Sequence, residues 1–312
     1  MSDPRTPGAG GPPRDAGALF AEERAAAAFA TPDAYQALLE RRFAARPVVL
    51  NLALLETVIA ERDWTDALRP FAAAALGYPP TPPSTVLLLN TFQRVPTAAA
   101  EAVLGVELGL RLGSLHPQNA YREIGFDKSV AVRELRSRSL VRGHLVASVR
   151  LRACLAMLSI RPILIVRNIF DTIASYVDDR TEPRMVAGYT LATLDPAARR
   201  RILTLRMAAQ MVDFHASWWL AQRYGGPALH RWEEVRLDWP GFLADRLVEH
   251  GLTLTRDAVA AKLVALPANL RAEPAGGSIL ADEDRQLVRT LYAQYPEVDF
   301  RPIDPEAPAP GS

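Results

Sequence analysis

Two short apolar runs in this sequence deliver a guanidinium to their far ends. "STVLLLN", residues 84–90, leads into Arg94 within "TFQRVPT", and "RPILIVR" ends on Arg167, with Ser175 eight residues further on. Each arginine is followed by a segment of helical pattern. Helix starts expose unpaired N–H groups at the positive end of the helix dipole, which favours anions. Open parallel sheets bind their ligands outside the carboxyl ends of their strands. Arg94 with the helix that follows it therefore suits one phosphate, and Arg167 with Ser175 suits a second. The alternative reading is structural: Arg167 balances a nearby acid such as Asp171, and Ser175 caps or solvates a helix.

A third element is "VRGHLVAS". Arg142 and His144 are two residues apart, so an extended segment points both the same way. That sets a cation beside a side chain whose ordinary pKa suits general-base work near neutrality. A hydrogen-bonded structural histidine is the competing reading. His116, His215, His230 and His250 stand in less informative surroundings.

The elements that must hold these residues read as follows. Residues 1–18, rich in Gly and Pro, are expected to be a disordered tail, and 19–78 a helical N-terminal extension. "YPPTPP" interrupts the helical pattern and marks a boundary. Residues 79–302 then alternate strand and helix: a strand at 84–90, a helix over "TAAAEAVLGVELGLRLG", a strand or loop with a helix in 136–160, the strand "PILIVR", and the helix "DTIASYVDD". Long helices follow, then a third strand in "ALHRWEEV" and helices in "WPGFLADRLVEHGL" and "LADEDRQLVRTLYAQYP". The order predicts an α/β fold with a parallel sheet covered on both faces. Residues 303–312 read as a second disordered tail.

Composition narrows the function classes. The 312-residue chain carries a formal net charge of +1, which gives no global field for nucleic acid or an anionic membrane, so any anion site must be local. Lysine occurs only at Lys128 and Lys262, so 34 of the 36 basic residues are arginine. The single cysteine, Cys154, excludes an internal disulfide and a cysteine-based zinc site. No run reaches the roughly 18–20 apolar residues of a spanning helix, and the N-terminus lacks the apolar core of a secretory signal. The expectation is a soluble cytoplasmic protein.

In combination, a strand–turn–helix with a basic residue, then R-G-H, then strand-R-x7-S resembles the sulfotransferases that use 3′-phosphoadenosine-5′-phosphosulfate (PAPS). The resemblance covers residues 84–295 or so. It implies a P-loop-like parallel sheet flanked by helices on both faces. Arg167 and Ser175 match the pair that holds the 3′-phosphate. "LVRGHL" resembles the K-x-H-L segment, which places His144 at the catalytic base and Arg142 at its cationic neighbour. "LHRWEEV" resembles the late R-Y-E-D-L segment, with Glu233 on its acidic position, and Arg271 falls where a further 3′-phosphate contact stands. The 5′-phosphosulfate loop, T-Y-P-K-S-G-T-T-W, corresponds to "TFQRVPTAAA": Arg94 matches the lysine and Thr97 the first threonine. Val95, Pro96 and Ala99 depart from the serine, glycine and tryptophan.

The resemblance thus implies sulfuryl transfer from PAPS to a hydroxyl or amine acceptor, a small molecule or carbohydrate, with adenosine 3′,5′-bisphosphate (PAP) as product and no metal. Neither nucleic acid nor a membrane is expected as partner, and a homodimer through the N-terminal helices is. The eroded first loop keeps a second expectation open: a catalytically inactive nucleotide-binding or interaction protein on the same scaffold.

Overall fold

The computed structural model describes residues 52–61, 69–115, 126–178, 185–186, 189–190, 194–267 and 280–311. It divides into two compact units, Met1–Pro80 and Thr81–Ser312, with the division inside the proline-rich stretch. In the first unit the described residues form helices α1 (Leu52–Glu61) and α2 (Arg69–Leu76). The expected tail at 1–18 lies outside the described residues, as does most of the expected helical extension.

The second unit is α/β. Its described strands are β1 (Val86–Thr91), β2 (Arg111–Ser114), β3 (Ser139–Gly143), β4 (Ile163–Val166) and β7 (Leu229–Arg231), all parallel, in the order β2-β3-β1-β4-β7. A separate antiparallel pair joins β5 (Met185–Val186) to β6 (Tyr189–Thr190). The helices are α3 (Ala98–Glu107), α4 (Lys128–Glu134), α5 (Val149–Met157), α6 (Ile169–Asp178), α7 (Pro196–Ala221), α8 (Trp232–Val235), α9 (Trp239–Glu249), α10 (Arg256–Ala265) and α11 (Asp282–Thr290).

Strand character follows burial. Successive strand residues face opposite sides of a sheet. Every residue of β1 and of β4 is buried, so both faces are covered at the centre. That is why both segments read as unbroken apolar runs. β2 and β7 are the edges and are only partly covered.

Three expectations are corrected here. The helix expected to run through "ELGLRLG" stops at Glu107. Gly109 takes φ +57°, its N–H bonds Val106 O, and the Leu110 N–H bonds Gly105 O, a left-handed glycine stop that releases "RLGS" as edge strand β2. In "ALHRWEEV" only Leu229–Arg231 is strand. Trp232 turns the chain into α8 and packs edge-on against Trp239, ring centroids 5.2 Å apart. The expected C-terminal tail is packed: Ile303 and Asp304 are buried, and Asp304 accepts two hydrogen bonds from Arg289, at 2.9 and 3.2 Å. The stretch around it also braces the start of α6 and the end of β7, because Ile303 O accepts the Ile169 N–H and Pro302 O accepts from Arg231 Nε. A buried carboxylate with a bidentate arginine outweighs the composition of "DPEAPAPGS".

Candidate functional site

Strand order locates the crevice. The chain leaves β1 toward β2 and β3 on one side and leaves β4 toward β7 on the other. Connections that diverge from adjacent strands open a cleft beyond their carboxyl ends. Arg94 follows β1 and Arg167 follows β4, so both arginines lie at this switch point.

Their placement is built by the backbone. The Phe92 N–H donates to Ile165 O at 2.9 Å and carries the β1–β4 pairing one step past the strand. The chain then bends through Arg94, which adopts φ +64°. A left-handed conformation at a residue with a Cβ costs about 1 kcal/mol or more and persists where surrounding contacts impose it. It turns the Arg94 carbonyl toward Arg167, whose Nη1 donates to it at 3.1 Å. The Arg94 guanidinium lies over the Tyr176 ring, 5.6 Å from its centroid. Tyr176 belongs to α6 and is next in sequence to Ser175, so the β1 loop, the β4 end and α6 are held together.

Arg167 is buried, with 7% of its surface exposed. Among the described residues no carboxylate pairs with it, and Asp171, the acid named from the sequence, is exposed. Its charge is met by one backbone carbonyl. Ser175 is likewise nearly buried, and among the described residues no hydrogen bond joins it to Arg167. Arg271 lies outside the described residues.

The start of α6 is a different matter. Asn168 Oδ1 accepts the Phe170 and Asp171 N–H groups, Ile303 O accepts that of Ile169, and Glu233 Oε1 accepts that of Asn168 at 2.8 Å. The first-turn donors expected to serve an anion there are taken by the protein itself. Glu233 therefore ties α8 to the beginning of α6.

His144 follows β3. Gly143 precedes it because the Asn90 amide occupies that side of the sheet: a Cβ on Gly143 would lie 2.9 Å from Asn90 Oδ1. Asn90 is fully buried, accepts the Leu145 N–H at 2.8 Å and donates to Leu145 O at 2.9 Å. This clamp fixes the turn after β3. His144 Nδ1 is 2.7 Å from Thr91 O. A carbonyl only accepts, so Nδ1 carries a proton toward Thr91 O, and Nε2 is the nitrogen whose proton can come and go.

Arg142 pairs with Glu101 of α3 at 3.5 Å, and Thr97 Oγ1 donates to the same Glu101 oxygen at 2.8 Å. The loop between β1 and α3 turns its own donors inward: the Val95 N–H goes to Phe92 O, the Thr97 N–H goes to Val95 O, and Pro96 has none. Unlike α6, α3 has no side-chain cap.

Trp218 and Phe214 of α7 are core. Trp218 Nε1 donates to Leu145 O at 2.8 Å and Phe214 packs edge-on against Phe92. Thr91, Asn90, Glu101 and Asn168 shape the site without standing out from pattern alone. The one available signal was Asn90, a polar residue closing an apolar strand. Among the described residues no group of His, Cys, Asp or Glu side chains is placed to hold a metal ion, and no helix is long and apolar enough to cross a membrane. No protein-family model matches the chain, and no curated protein matches it significantly.

Proposed function

We propose that this protein binds an adenosine 3′,5′-bisphosphate nucleotide at the β1–β4 crevice of a P-loop-like sheet and acts as a PAPS-dependent sulfotransferase. The observation that carries the reading is Arg167, a buried guanidinium at the switch point that no acid among the described residues neutralises. A buried charge is costly unless compensated, and a phosphate offers the bidentate acceptor that a guanidinium matches. Ser175 is the second member of the 3′-phosphate pair in the resemblance, and Arg94 belongs to the loop that the resemblance gives to the 5′-phosphosulfate.

PAPS supplies a sulfuryl group. His144 Nε2 takes the proton from the acceptor hydroxyl or amine as the acceptor atom bonds to sulfur and the bond from sulfur to the bridging oxygen breaks. The Thr91 carbonyl keeps the ring in the tautomer this needs and favours the imidazolium that results. In this reading Arg94 and Arg142 stabilise the charge that grows on the departing phosphate. The decisive experiment is an acceptor screen with sulfur-labelled PAPS beside thermal melts with PAP. Label transferred to an acceptor, together with a loss of about 10²–10⁴-fold in turnover for His144→Ala at unchanged PAP affinity, is the expected result. No stabilisation by PAP overturns the nucleotide reading.

A second reading is favoured by the β1 loop. Its Val95 and Thr97 N–H groups are satisfied internally, Pro96 offers no donor, and Arg142 already meets a carboxylate. A nucleotide-binding protein without transfer activity fits these features. It predicts stabilisation by PAP and no labelled product with any acceptor.

A further inference from the structure

Glu101 stands in the first turn of α3, four residues beyond Thr97. A single oxygen, Oε1, takes the Thr97 hydroxyl proton at 2.8 Å and faces Arg142 Nη1 at 3.5 Å. One carboxylate thus engages two of the three side chains, Thr97 and Arg142 but not Arg94, that the nucleotide reading assigns to the 5′ end of the ligand. Thr97 is 3% exposed, so its hydroxyl has little access to solvent as an alternative partner. The pairing with Arg142 is loose. Charge-assisted N–H···O contacts close to about 2.7–2.9 Å, and Arg142 Nε is buried without a hydrogen-bond partner. This guanidinium is held by Glu101 but not saturated by it.

A carboxylate and a phosphate are equivalent partners for a guanidinium and a hydroxyl, and the two anions repel each other in one place. Glu101 is also an acid in the first turn of a helix, where the dipole keeps it favourable when it swings outward. We infer that Glu101 is the internal competitor of the ligand's 5′-phosphate: it occupies Thr97 and Arg142 in the unliganded protein and must withdraw before a 5′-anion can bind. It sets a cost on placing an anion at the 5′ position, which PAPS and PAP offset through their other contacts. This rests on the nucleotide reading above and specifies the end of the ligand that the protein resists.

Two probes separate the ends of the nucleotide: PAP, and adenosine 3′-monophosphate, which lacks the 5′-phosphate. Calorimetry with the full chain compares the wild type with Glu101→Gln, which keeps an acceptor for Thr97 and removes the charge. PAP should bind Glu101→Gln about tenfold tighter or more, while the affinity for adenosine 3′-monophosphate stays within about twofold. Glu101→Ala, which removes the acceptor as well, should show the same preference and guards against a folding defect peculiar to one variant. Equal gains for both nucleotides, or no gain for PAP, overturn the role given to Glu101 and leave the nucleotide reading standing. Failure of every protein to bind either nucleotide overturns both.

Discussion

Replacing Arg167 by methionine separates a ligand-binding cation from a structural one. In the unliganded protein the substitution removes one hydrogen bond, from Nη1 to Arg94 O, worth about 1.5–3 kcal/mol for a charged donor. It also removes a buried charge that no acid among the described residues offsets, a burden of several kcal/mol. The apolar stem space is refilled at similar volume. The balance predicts a variant as stable as the wild type or up to about 2 kcal/mol more stable, the pattern seen when buried charges give way to apolar residues. Ligand should reverse the ranking. At a hundredfold excess over Kd, PAP stabilises the wild type by about 2.7 kcal/mol, which raises Tm by roughly 5–10 °C at about 2–4 °C per kcal/mol. Loss of the guanidinium–phosphate contacts should weaken binding by about 1.5–3 kcal/mol, roughly 10- to 150-fold, and leave between about half and a tenth of that shift. Differential scanning fluorimetry with and without PAP reads both effects, and calorimetry gives the affinity. A variant that melts several degrees below the wild type without ligand, yet keeps its PAP shift, would show that Arg167 serves the fold and refute the reasoning.

Other substitutions test the scaffold around the site. Gly143→Ala brings a Cβ within 2.9 Å of Asn90 Oδ1, which Leu145 holds in place, and should cost about 1–3 kcal/mol in urea unfolding. Asp304→Asn breaks the buried bidentate pair with Arg289, while Glu306 still accepts from Arg289 at 2.7 Å. A loss of about 2–3 kcal/mol should appear as a Tm lower by roughly 5–10 °C. His215 donates from Nε2 to Asp299 O inside the core, and burial pushes its pKa down to about 4 from 6.5. The unfolded chain then binds a proton that the folded one refuses between these values, so stability falls as pH drops from about 6.5 toward 4. About 2 kcal/mol of this should be gone by pH 5, with burial of His230 and His250 adding in the same direction. Denaturant unfolding at pH 7 and pH 5 should show a smaller difference in His215→Phe.

What the sequence disclosed follows from where burial is complete. β4 was legible because all four of its residues are buried, so no polar residue interrupts it. β2 was hidden: its Arg111 and Leu112 are exposed, and a strand that buries so little writes no period into the chain. Arg94 and Arg167 stood out as cations at strand ends, yet their junction depends on β4 crossing over to lie beside β1, a fact of topology. His144 was visible, but its tautomer is set by the carbonyl of Thr91, and no side-chain pattern records where a carbonyl points. The C-terminal segment misled for the opposite reason. Pro- and Ala-rich composition suggests disorder, while one carboxylate, Asp304, is enough to anchor the segment.

The backbone donors near the crevice constrain the recognition proposed for it. At α6 the first-turn N–H groups are consumed by Asn168, Ile303 and Glu233, and in the β1 loop those of Val95 and Thr97 are consumed by neighbouring carbonyls. In the proposed site an anion between β1 and β4 meets side chains where α6 has no amides to spare, while the first turn of α3 keeps no side-chain cap. Those side chains are arginines, and the chain is rich in them, 34 against two lysines. Guanidinium groups supply paired donors that a lysine cannot, and in the proposed reading Arg167 and Arg94 replace part of what a glycine-rich backbone would supply. Arginine-borne recognition carries a measurable signature. Contacts made by side-chain charges weaken as salt screens them, whereas a dipole cradle of fixed amides carries no net charge. PAP affinity should consequently fall between 50 and 500 mM sodium chloride, and the fall should be shallower in Arg167→Met. A salt dependence identical in both proteins would place the anion elsewhere.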